Sequence, residues 1–228
     1  MPAAIRKAPR WTALAATMLA CLLAPAAVMA QAARAEPIDS GQVLRQLAQP
    51  AAARTPFVEL RESELLDTPL KISGEYRRLE DNTLIREVVS PYAETTTLKD
   101  GRATVERAGR SPRSFSLSRA PELAGLQDTF GALLAGDRDA LEENFAVGAW
   151  GAADGWTLTM APRDRALARR VQGISLFGAG DELRCIETLG TDDSLQRTLL
   201  GSAAVAAADV DSAEDFERLC RASAGHAD

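Results

Sequence analysis

From Thr55 onwards, apolar and polar residues alternate with a period of two over most of the chain. That pattern sends successive side chains to opposite faces of a strand and rules out long amphipathic helices there. It runs through "FVELRES", "LKISGEYRRLE", "TLIREVVSPYAETTTL", "RATVERA" and "RSFSLSR". In the second stretch Leu70, Ile72, Gly74 and Tyr76 point one way, while Lys71, Ser73, Glu75 and Arg77 point the other. "EDN" and "KDG" supply hairpin turns, the second through an Asp-Gly pair that accepts positive φ. The arrangement is an antiparallel meander.

The period changes inside "APELAGLQDTFGALLAGDRDALEENF", where Leu123, Leu126, Phe130, Leu133 and Leu134 recur at helical spacing. Pro121 suits a first helical turn, and Gly136-Asp137 divides the segment into a helix pair. Strands resume with "GWTLTMAP", "VQGISLFG", "ELRCIETL" and "SLQRTLL", the middle pair hinged on the "GAGD" turn. Upstream, "SGQVLRQLAQ" places Val43, Leu44 and Leu47 on one helical face, with Ser40 as the candidate cap. The tail from Ala203 carries one amphipathic helix around Phe216 and Leu219. A large sheet with an apolar inward face needs a cover, and the interrupting helices suit that role. A hollow barrel and a plain α+β domain with a filled core share this pattern.

The first 35 residues read as a secretory signal peptide: Arg6, Lys7 and Arg10, then an apolar Ala/Leu run, then small residues suited to cleavage near Ala30 or Ala35. An uncleaved anchor is the alternative, since the run approaches the length of about 20 residues that spans a bilayer. Pro25 and the crowded small residues favour removal, and the apolar sequence beyond Cys21 argues against a lipid-modified start there. Losing residues 1–35 removes four basic residues and no acidic one, so 26 basic and 32 acidic residues become 22 and 32, a net charge of about −10. Such a domain has no electrostatic reason to hold nucleic acid.

Cys185 and Cys220 then remain, and in an oxidising compartment two cysteines most simply form one disulfide. In the chain-entropy model a loop of about 35 residues makes it worth roughly 3–4 kcal/mol. Catalytic, metal and cofactor residues are not assigned. The single histidine, His226, lies three residues from the end, which starves both a triad and a zinc site. No Walker, G-x-S-x-G or G-x-G-x-x-G motif stands in a suitable context. Glu59, Glu75, Glu87 and Glu94 read as acids on solvated strand faces.

The order of these pieces carries a family resemblance. "LKISGEYRRLEDNTLIREVV", "KDGRATVER", "FGALLAGD" and "WTLTMAPRD...VQGISLFGAGDELRCIETLGTDDSLQRTLL" follow one another as in LolA, the periplasmic lipoprotein carrier, and its relatives. The chain resembles most closely the LolA-related proteins found beside aryl-polyene pigment biosynthesis enzymes and their exporters. The resemblance spans roughly residues 40 to 200. It implies a mainly β (α+β) fold, an incomplete antiparallel barrel with a helical lid and an apolar cavity for acyl chains. The domains are then a signal peptide over 1–35, the lipid-binding domain over 36–202 and an Ala/Asp-rich extension over 203–228.

The resemblance further implies that an arginine of the early strand holds the lid closed, and this falls on Arg78 or its neighbour Arg77. In this sequence Leu79-Glu80 stands where the family has proline after that arginine. The inward residues Leu70, Ile72, Tyr76, Leu84, Val88, Val105, Phe115, Leu117, Trp156, Leu158 and Met160 would line the cavity, with the five lid residues closing over it. The implied function is a monomeric, non-enzymatic periplasmic carrier between an inner-membrane exporter and an outer-membrane acceptor. A lipid sensor on the same fold and a secreted carboxylate-dependent hydrolase are the alternatives. The disulfide has a direct check: thiol labelling of the exported, denatured and unreduced protein should find neither Cys185 nor Cys220 free.

Overall fold

The computed structural model describes residues 38–48, 53–62, 64, 66–81, 83–117, 132–133 and 136–222. The signal-peptide expectation, His226 and the lid residues Leu123, Leu126, Phe130 and Leu134 lie outside them. Six strands follow helix α1 (Ser40–Leu47): β1 (Ala53–Glu62), β2 (Leu70–Arg78), β3 (Leu84–Ser90), β4 (Glu94–Lys99), β5 (Arg102–Arg107) and β6 (Arg113–Ser116). Helix α2 (Arg138–Asn144) leads into β7 (Phe145–Ala152) and β8 (Gly155–Pro162). A short α3 (Arg165–Ala168) precedes β9 (Val171–Ala179), β10 (Glu182–Gly190) and β11 (Leu195–Leu200). Helices α4 (Gly201–Ala206) and α5 (Ala213–Arg221) complete the order.

All eleven strands form one antiparallel sheet in the order β6-β5-β4-β3-β2-β1-β11-β10-β9-β8-β7. Two sequential meanders are thus joined where the first strand pairs with the last, from Phe57 opposite Leu200 to Glu62 opposite Leu195. The edges β6 and β7 do not meet among the described residues, which makes the sheet an incomplete barrel. Local chemistry sets the hairpins. Asp100 and Gly101 take φ of 48° and 69° between β4 and β5, as a two-residue turn with matched twist requires. Gly180, at φ 58°, opens the turn between β9 and β10.

Side chains cap four of these helices, while α4 has no side-chain cap. Asp39, rather than Ser40, caps α1 by accepting a hydrogen bond from the Gln42 amide at 3.0 Å; Ser40 is the first helical residue and is buried. Asp137 and Ser212 do the same for α2 and α5. Val43, Leu44 and Leu47 of α1 and Leu141 of α2 join Phe145, Trp156, Leu158, Met160, Ile174 and Leu176 in one packed cluster on the inward face of the sheet.

A second cluster lies on the opposite face. Val58, Leu60, Leu199 and Cys185 pack against Ala203 and Ala204 of α4 and Phe216 and Cys220 of α5. Among the described residues, the stretch from Gly201 onwards, which takes in most of what the sequence sets apart as an extension, holds two helices and covers the centre of the sheet. Among the ties that fix it there are these three. Cys185 and Cys220 form the disulfide. Arg197, 5% exposed, donates to Glu62, Glu187 and Glu217 at 2.7, 2.9 and 3.3 Å, joining β1, β10 and β11 to α5. Lys71 donates to the carbonyls of Ala208 and Val210 at 3.0 and 2.7 Å and to Asp211 at 3.0 Å.

Gly74 marks the tightest approach between β2 and its neighbours. A β-carbon there would sit 1.8 Å from the Glu87 carbonyl oxygen and 3.0 Å from Phe57 Cε1, beside an irregularity in the β2–β3 register. Gly74→Ala should therefore destabilise the protein by at least about 2 kcal/mol. Thermal unfolding would register this as a fall in Tm of roughly 4–8 °C.

Candidate functional site

The register of β1–β6 aligns inward residues into rows that cross the strands. The first row runs Ala53, Arg78, Leu84, Leu98, Ala103 and Phe115 from β1 to β6. The second runs Thr55, Tyr76, Arg86, Thr96 and Val105. Every residue of both rows lines a cavity of about 590 Å³. Leu183, Ile186 and Leu200 of β10 and β11, Leu47 of α1 and Leu133 complete much of its wall. The volume falls inside the range of about 300–1,000 Å³ typical of small-molecule sites, and the wall is mostly apolar.

The third row closes the cavity off. Phe57, Val88 and Leu200 are at most 6% exposed and form, with Ile72, a packed cluster against which Leu70 and Tyr76 rest. The rings of Phe57 and Tyr76 lie 4.7 Å apart. Of the expected lining, Tyr76, Leu84, Val105 and Phe115 surround the cavity, as do Arg77, Arg78 and the one described lid residue, Leu133. Ile72 and Val88 instead fill the cluster below it. Leu117 is buried, with its amide bonded to the Gly101 carbonyl at 2.9 Å, and does not line the cavity. Trp156, Leu158 and Met160 also point inward, but α1 and α2 pack over that part of the sheet and leave no space there.

Arg86 and Glu59 pair on the inward face of the sheet. Arg86 is flanked in sequence by Leu84 and Val88, which share its face, and its side chain is only 18% exposed. Its Nη2 donates to Glu59 Oε2 at 3.1 Å, and its guanidinium carbon lies 4.7 Å from the centre of the Phe57 ring. Glu59 is 1% exposed, and its other oxygen accepts from Arg61 Nε. The expectation of a solvated Glu59 is thereby overturned: it stands on the inward face between Phe57 and Arg61. Glu94, at 10% side-chain exposure and paired to Arg107, is likewise withdrawn from solvent. Burial pushes the pKa of the Tyr76 hydroxyl up, and the adjacent Arg86 opposes that rise. Burial works against the charge on Arg86, but Tyr76 and Glu59 outweigh it and hold the guanidinium protonated.

Both oxygens of Glu59 are engaged by guanidinium donors. Arg77 pairs outward with Glu87 at 3.2 Å and Glu75 at 3.9 Å. Among the described residues, no group of three or more His, Cys, Asp and Glu side chains is arranged to hold a metal ion. The wall of the cavity joins apolar side chains to the guanidinium of Arg86.

Among solved structures, the LolA superfamily protein NE2245 from Nitrosomonas europaea is 10% identical with a TM-score of 0.41, over 72% of this chain and 92% of that one. MucB of Pseudomonas aeruginosa, in its complex with MucA, is 16% identical with a TM-score of 0.36, over 71% of this chain and 55% of that one. LprF from Mycobacterium bovis is 12% identical with a TM-score of 0.32, over 72% and 91%. No curated protein matches the chain. The family model described as outer membrane lipoprotein carrier protein LolA-like matches residues 32–223. The chain belongs to this LolA-like family.

Proposed function

We propose that the protein is a periplasmic carrier, which takes lipid-type cargo from an inner-membrane exporter and delivers it towards an outer-membrane acceptor. The observation that carries this reading is the mostly apolar cavity of about 590 Å³ within a LolA-like sheet. Exposed apolar surface is unfavourable in water by about 25 cal/mol per Å², so a chain in transit between membranes needs such an enclosure. The cargo is an acyl chain of a lipoprotein or an aryl-polyene lipid, held without covalent chemistry. Lipid extraction and mass spectrometry of protein purified from its native periplasm should recover apolar material in near-stoichiometric amount. Protein that arrives empty, or that turns over a lipid ester, would sink the carrier reading.

Within this mechanism Arg78 is the latch. It occupies the first inward row between Ala53 and Leu84, at the end of β2 and on the cavity wall. Five guanidinium donors there can hold carbonyls of a closing segment. That segment, residues 118–131, lies outside the described residues. Arg78→Leu keeps comparable bulk and removes charge-assisted bonds of about 1.5–3 kcal/mol each. The variant should fold and take up a fluorescent acyl probe, yet pass it to acceptor membranes about tenfold more slowly and accumulate loaded. Transfer at the wild-type rate in Arg78→Leu, with Arg77→Leu also silent, would remove the latch.

A further inference from the structure

We infer that the cargo is a long-chain amphiphile with a free anionic head, a carboxylic acid, and that Arg86 and Tyr76 receive that head inside the cavity. This rests on the carrier reading and narrows its cargo to one with a free acid, which the ester- and amide-linked acyl chains of a lipoprotein lack. Four arginines line the cavity against two acids, Asp181 and Glu182, in a chain whose acids outnumber its bases. Arg54 and Arg77 are turned to Glu75 and Glu87 on the other face of the sheet. Glu182 is committed elsewhere, accepting from the Ser202 amide at 2.9 Å.

Arg86 differs from the other lining arginines. It stands where the cavity wall passes into the packed cluster of Phe57, Ile72, Val88 and Leu200. The carboxylate that balances it is shared, because Glu59 binds Arg61 through one oxygen and Arg86 through the other. Two guanidiniums thus share one carboxylate: Arg61, with 44% of its side chain exposed, on the solvent side, and Arg86, 18% exposed, on the cavity wall. Water screens such a charge poorly once the cavity is filled, and an anion delivered with the cargo supplies the missing counter-charge. A guanidinium offers five donors in a planar fork, so one edge can serve Glu59 and another a carboxylate. The Tyr76 hydroxyl, beside the guanidinium, provides a further donor. Leu84, Leu98, Val105 and Phe115 then receive the chain, in the same two rows as the head site.

The test is displacement of the uncharged fluorophore N-phenyl-naphthylamine from the exported, delipidated protein. The competitors are hexadecanoic acid and its methyl ester, at a pH where the acid is ionised. The acid should bind about tenfold more tightly than the ester. Arg86→Met should abolish this preference, bringing the affinity for the acid down to that for the ester. Retention of the preference in Arg86→Met overturns the assignment. If that variant fails to fold, Tyr76→Phe decides, since it leaves the Arg86–Glu59 pair in place: a reduced preference supports the head site, and an unchanged one overturns it. Equal binding of acid and ester by the wild type overturns the head site and leaves the carrier standing. Displacement by acetate alone would make the site one for small anions and overturn the inference. Failure of both long-chain competitors to bind would instead remove the carrier reading itself.

Discussion

The pairing of β1 with β11 is the constraint on which the rest of the molecule depends. It is the only ladder joining the first meander to the second among the described residues, and it brings together segments more than a hundred residues apart. Such long-range pairing forms only after its loop-closure entropy has been met, so it needs support from both faces. On the inward face Phe57 and Leu200 meet across the seam within one packed cluster. On the other face, α4 and α5 lie over Val58, Leu60 and Leu199, held by the disulfide and by Arg197. The C-terminal helices thus clamp the seam from behind, while the cavity opens in front of it.

This placement explains why the interior divides unevenly. Around β7–β9, α1 and α2 deliver Val43, Leu44 and Leu141 onto the inward face, and the side chains there interdigitate as in any core. Around β2–β6 no described helix does this, and the same kind of inward residue is left facing space. Alternation specifies the face to which a side chain points and says nothing of what arrives opposite. For that reason the meander, the Asp100-Gly101 hairpin, the α2 boundary and the cysteine pair were legible in the sequence, as were Tyr76, Leu84, Val105 and Phe115 on the wall. Trp156, Leu158 and Met160 carry the same periodic signal as these and have the opposite fate.

The charged residues show the other limit of a sequence reading. Glu59 and Arg86 were hidden by the ordinary expectation that ionised groups face water. Parity contained the correction, for Arg86 falls between Leu84 and Val88 and Glu59 follows Phe57 by two. The inference from parity requires accepting two buried charges at once, on strands that are separated by β2 in the sheet. Only the three-dimensional register brings them within hydrogen-bonding distance, across Gly74, which has no side chain of its own, and over the Phe57 ring.

That pair has an energetic meaning. Withdrawing a guanidinium and a carboxylate from water is unfavourable by several kcal/mol per ion, and their attraction commonly does no more than offset it. Packed apolar side chains at positions 59 and 86 would hold β1 and β3 across β2 at least as well. They would also continue the aliphatic wall that a purely hydrophobic cargo prefers. Stability alone therefore gives no reason for the pair, whereas recognition does. A carrier that must distinguish one amphiphile from the bulk of membrane lipid gains little from chain length, since one methylene changes binding by only about 1 kcal/mol. A buried, partly compensated cation discriminates by charge: an acid head completes its pairing, and a neutral head leaves it unpaired in a low-dielectric site. On the proposal made above, the same apolar wall that would make the cavity a container would make Arg86 selective.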